Sequence, residues 1–64
     1  MKNLTRITFN SNVRGGKACI RGMRVTVGMI VYLIASGHSF EEILLAYPYL
    51  EEEDLRESLR YAAL

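Results

Sequence analysis

Ile7 and Phe9 flank Thr8, an apolar-polar-apolar alternation that predicts a short half-buried strand over Arg6-Ile7-Thr8-Phe9. Asn10-Ser11-Asn12 follows, and short polar side chains that bond their own backbone predict a turn there. Arg14-Gly15-Gly16-Lys17 reads as a charged, glycine-rich connection. Ala18-Cys19-Ile20 and Met23-Arg24-Val25 read as two further short strands around a turn at Arg21-Gly22, where Gly22 supplies the positive φ.

From Thr26 onward the pattern changes period. Thr26 is a candidate N-cap for a helix over Val27 to Ser36, with Gly37 closing it at C′. Val27, Met29, Ile30, Val31, Leu33, Ile34 and Ala35 leave this helix without a polar face, which predicts burial on all sides. Ser39 and Glu42 form a capping box for a second helix that runs to about Tyr47 and stops before Pro48. Phe40, Ile43, Leu44 and Tyr47 make its buried stripe, and Leu45 falls off that stripe. A third helix starts near Glu51 or Glu52, with Leu55, Leu59 and Ala62 as its expected inner face. Four acids in its first turn suit the positive end of the helix dipole.

These elements predict one domain of small α+β class, mainly α. Residues 1–26 form a basic β-element and residues 27–64 a three-helix bundle. The last two helices have the lengths of a helix-turn-helix or homeodomain-like unit.

Composition adds a constraint. A chain of 64 residues buries only about 60% of its unfolded surface. One cysteine, Cys19, and one histidine, His38, provide neither a disulfide framework nor a metal cluster. Half of the residues are nevertheless apolar, more than one small globule hides. The excess predicts an intermolecular surface, assigned to Met29, Ile30, Leu33, Ile34 and Leu45, and a homodimer. The lone cysteine suits a reducing, cytoplasmic setting, and no signal peptide or membrane span is evident.

Charge is divided along the chain. Residues 1–36 carry six Lys or Arg and no acid; residues 37–64 carry seven acids against Arg56 and Arg60. The basic group Arg14, Lys17, Arg21 and Arg24 is therefore the leading candidate for gripping nucleic acid or an acidic protein site. Glu51, Glu52, Glu53 and Asp54 occupy the positions from which a recognition helix reads bases, and four carboxylates there repel the phosphate backbone. Any DNA contact is thus expected from the β-element, not from the third helix.

Catalysis finds no support in the sequence. Gly15-Gly16-Lys17 lacks the spacing and the Ser/Thr of a P-loop. Cys19, inside a short apolar strand, reads as core. Glu41 and Glu42 are adjacent on a helix and diverge. The expectation is a non-enzymatic protein without cofactor or metal.

Gly15-Gly16-Lys17-Ala18-Cys19-Ile20-Arg21-Gly22-Met23-Arg24-Val25-Thr26-Val27, together with Ser36-Gly37-His38-Ser39-Phe40-Glu41-Glu42-Ile43-Leu44 and Tyr47-Pro48-Tyr49-Leu50, resembles the family known as domain of unknown function 433. The matching motif positions include Gly15, Gly16, Ile20, Gly22 and Val25. Ala18, Met23 and Glu51 depart from the family pattern, which has proline, threonine and threonine there. The resemblance implies a homeodomain-like fold and an antitoxin similar to VapB-type proteins. Such an antitoxin would neutralise a PIN-like ribonuclease toxin encoded by the adjacent gene, through Arg21 or Arg24 entering its metal-binding carboxylates. It would also bind operator DNA to repress its own operon. The alternatives are a free-standing DNA-binding transcriptional regulator and a dimeric interaction module with no nucleic-acid role.

Overall fold

The computed structural model describes residues 5–9 and 17–64. The Asn10-Ser11-Asn12 turn, Arg14, Gly15 and Gly16 lie outside the described residues. The chain order is β1 (Ile7–Phe9), β2 (Ala18–Ile20), α1 (Val27–Ala35), α2 (Phe40–Ala46) and α3 (Glu52–Ala62). This is a small α+β protein, mainly α: a two-stranded antiparallel sheet and three helices.

β1 pairs with β2 in the register Ile7↔Ile20, Thr8↔Cys19 and Phe9↔Ala18. The Arg21 amide extends the ladder by donating to the Arg6 carbonyl at 2.8 Å. After β2 the chain turns at once. Arg21 and Gly22 have φ values of 46° and 74°, and the Met23 amide donates to the Ile20 carbonyl at 2.8 Å. Two consecutive positive φ values closed by that bond make a turn of type I′, tolerated because Gly22 has no Cβ. The strand expected over Met23-Arg24-Val25 does not form. The returning segment makes one bond from the Ile20 amide to the Val25 carbonyl, at 2.9 Å, and one isolated bridge, Cys19↔Thr26. The reason is length: Thr26 is already the N-cap of α1, accepting from the Met29 amide at 3.1 Å, so no residues remain for a ladder.

α1 ends as its sequence predicts. The His38 amide donates to the Leu33 carbonyl and the Gly37 amide to the Ile34 carbonyl, with Gly37 at φ 99°. That pair of bonds is a Schellman closure, and the left-handed residue is the glycine. α2 carries the complete capping box: the Ser39 hydroxyl accepts from the Glu42 amide, and the Glu42 carboxylate accepts from the Ser39 amide.

Ile20, Val25, Val27, Ile30, Ile43, Leu50 and Leu55 form the buried core, so every element after β1 contributes to it. α1 packs most heavily on α3. Full burial of Ile30 or Leu55 contributes about 1.5–3 kcal/mol each. Two expectations need correction here. Ile30, expected at an interface, is completely buried inside its own chain. α1 is not buried all round: Met29, Val31, Leu33 and Ile34 are half-buried, and Tyr32 is 68% exposed. No described helix is long and apolar enough to cross a membrane.

α3 is rotated relative to the expected stripe. Leu55 is buried, but Leu59 and Ala62 are exposed, and the inward positions are Asp54, Leu55, Glu57 and Ser58. The rotation follows from charge. It delivers carboxylates to arginines of the β-element, and Leu55 supplies the apolar anchor.

Candidate functional site

Three acids of α3 and its N-cap, Glu51, Asp54 and Glu57, are spaced by three residues and share one helix face. That face meets the β-element. Asp54 is completely buried and accepts four hydrogen bonds. Arg21 donates through Nε to Oδ1 at 3.1 Å and through Nη2 to Oδ2 at 2.9 Å, a bidentate pair. Arg6 Nη1 donates to Oδ1 at 3.0 Å, and the Glu51 amide donates to Oδ2 at 2.8 Å. Arg6 also donates to Glu51 Oε1 at 2.6 Å, and its backbone amide donates to Glu57 Oε1 at 3.0 Å. Arg21 Nη2 reaches the Tyr49 carbonyl as well, at 2.9 Å.

Burial pushes the Asp54 carboxyl up, but the Arg21 guanidinium, the Glu51 amide and the Arg6 guanidinium outweigh it and hold the group below the usual carboxylate range. Arg6 is raised by its bonds to Glu51 and then Asp54, and Arg21 by its bond to Asp54. On the outer face of α3, Glu53 is lowered by Arg60, and Arg56 pairs with Glu52 at 2.7 Å. Of the four described basic residues of the first half, Arg6 and Arg21 are thus closed onto acids of the second. Arg21 has no acid near it in sequence, and its partner Asp54 lies 33 residues away.

Four members of this network, Arg6, Glu51, Asp54 and Glu57, were not among the expected site residues. The signal was present: the three-residue spacing of the acids coincides with the apolar position Leu55 and not with the opposite face. Arg6 carried no signal of its own beyond adjoining a strand.

The remaining basic candidates are placed differently. Lys17 and Arg24 are exposed, and neither has an acidic partner among the described residues. Arg24 stands at a groove of about 540 Å³ walled by Met23, Val25, Met29, Tyr47 and Tyr49. The rings of Tyr47 and Tyr49 meet edge-on, with centroids 6.2 Å apart. Ile20 and Val25 of the motif are core residues, and Gly22 forms the turn that aims Arg21 at α3. Cys19 is buried, with its thiol donating to the Lys17 carbonyl at 3.2 Å. An exposed guanidinium beside an apolar, aromatic wall is able to hold a carboxylate or phosphate next to an apolar group.

Residues 7–62, almost the whole of this arrangement, match the family described as "Protein of unknown function (DUF433)". The chain belongs to this family. It is also similar to "Uncharacterized protein y4eO" of Sinorhizobium fredii (strain NBRC 101917 / NGR234), 38% identical over 56 residues. The match covers 88% of this chain and 25% of that relative, so the chain spans about a quarter of the length of the curated protein it matches. No solved structure matches the chain. The family match includes both partners of the buried pair, Arg21 and Asp54, and the Arg24 groove, but not Arg6.

Proposed function

We propose that this chain is the antitoxin of a type II toxin–antitoxin pair. It binds and neutralises a PIN-like ribonuclease encoded by the adjacent gene, acts in the cytoplasm, and is not itself an enzyme. Free of the toxin it is a homodimer. The observation that carries the reading is Arg24: a cation of the family motif that no acid of its own chain neutralises, exposed beside an apolar groove. A nuclease that holds its metal with carboxylates offers such an arginine a matching target. Arg21 is engaged with Asp54, so of the two arginines suggested by the sequence the inhibitory one is Arg24.

Co-expression with the product of the adjacent gene, with a tag on this chain only, tests the reading. The expected result is a stoichiometric complex in which ribonuclease activity is absent and is restored by Arg24→Glu. Recovery of this chain without a partner overturns it. The second reading is a free-standing DNA-binding regulator, favoured by the exposed pair Lys17 and Arg24. Two phosphate contacts per copy, four in the homodimer, correspond to a salt slope of about 4. DNA takes second place because Arg24 stands beside an apolar, aromatic groove that suits a protein partner better than a phosphate backbone.

A further inference from the structure

Charge pairing among the described residues leaves three side chains over. Arg6, Arg21, Arg56 and Arg60 each meet an acid, five of the seven acids meet an arginine, and Glu42 lies 3.6 Å from the His38 imidazole. Lys17, Arg24 and Glu41 have no such partner among them. Arg24 stands at its apolar groove. Glu41 stands on α2 one turn before Leu45, and residues four apart lie on the same helix face, about 6 Å apart along the axis. Leu45 is 77% exposed, the most exposed large apolar side chain of the described residues. Phe40 and Leu44 flank it, and Glu41 and Glu52 border the same surface. One surface is an apolar groove with a bare cation; the other carries the exposed Leu45 beside a bare carboxylate, at a shallower depression of about 430 Å³.

We infer that the Glu41–Leu45 edge of α2 in one copy of this chain docks into the Arg24 groove of a second copy. Leu45 enters between the methionines and the tyrosines, and Glu41 meets the Arg24 guanidinium. The bidentate fit of guanidinium to carboxylate selects Arg24 over Lys17, whose ammonium is a point charge. Each copy carries both surfaces, so each can offer its α2 edge to one copy and its groove to another. The inference rests on the homodimer in the function proposed above and adds to it. A groove filled by a second copy is closed to any other carboxylate, so self-association and Arg24-mediated binding of a nuclease exclude each other.

Sedimentation equilibrium of the full chain, alone, tests the contact. Wild type, Arg24→Glu, Glu41→Arg, the double reversal Arg24→Glu/Glu41→Arg, Leu45→Ser and Lys17→Glu are compared, with circular dichroism as the check of folding. None of these side chains is buried or holds an internal salt bridge, so the fold is expected to persist in all of them. The wild type associates, each single reversal and Leu45→Ser weaken association at least about tenfold, the double reversal regains it, and Lys17→Glu leaves it unchanged. A wild type that stays monomeric at the highest concentration, an Arg24→Glu variant that associates like wild type, or a double reversal as weak as the singles overturns the inference. The double reversal also separates this claim from the antitoxin reading, since it restores self-association without restoring inhibition of a nuclease.

Discussion

The Asp54→Asn substitution keeps the shape of a buried side chain and removes its charge. In the native chain the Asp54 carboxylate accepts three bonds from guanidinium groups and one from a backbone amide. Bonds to charged groups contribute about 1.5–3 kcal/mol each, but they are not additive and burial of the carboxylate opposes them. Removing one member of a buried ion pair costs about 3–5 kcal/mol, because the remaining charge is left without its partner. In the variant an amide NH2 is placed against the N–H groups of Arg21 or Arg6. A 64-residue chain has a total stability of about 3–10 kcal/mol, so the loss removes much of it. Urea unfolding followed by helical circular dichroism measures this directly. Glu53→Gln, on the half-exposed outer side of α3, is the control and is expected within about 0.5 kcal/mol of wild type. The sign of the pH dependence follows from the lowered Asp54 carboxyl. Its contribution is complete above the unfolded-state value of about 3.9 and is lost as pH falls through and below it. Wild-type stability therefore declines in acid below about pH 4, and Asp54→Asn lacks that part of the decline. A loss smaller than about 1 kcal/mol at neutral pH would refute the reasoning.

Gly22→Ala is expected to cost about 1–2 kcal/mol at constant m-value, a purely conformational loss, since nothing lies near the added Cβ but φ is 74°. Ser39→Ala removes half of the α2 capping box and is expected to lower stability by about 1 kcal/mol in the same denaturation series. Ile30→Asp places a charge at a completely buried core position, and no folded species is expected by circular dichroism at any protein concentration. A concentration-dependent rescue of that variant would return Ile30 to an interface.

The local architecture of this chain was legible in its sequence. The Thr26 and Ser39 caps, the Gly37 closure, the stop at Pro48 and the Arg21-Gly22 turn each depend on residues within a few positions of one another. The groups that satisfy them are covalently near, so no knowledge of the fold is needed. The membership of Ile43 in the core followed from the same local periodicity. What faces what was not legible. β2 takes β1 as its partner, not the segment after the turn, because α1 begins at Val27 and leaves that segment no length to pair. α3 turns Asp54 and Glu57 inward, not Leu59 and Ala62, because Arg6 and Arg21 wait across 33 to 51 residues of chain. Coulomb attraction has no sequence period. It acts through space, and only the packed fold decides whether a basic half and an acidic half are two surfaces for other molecules or one clamp for each other. Among the described residues Arg6 and Arg21 close the clamp on Glu51, Asp54 and Glu57, and the side chains left over, Lys17, Arg24 and Glu41, are known only because the tertiary structure accounts for the rest.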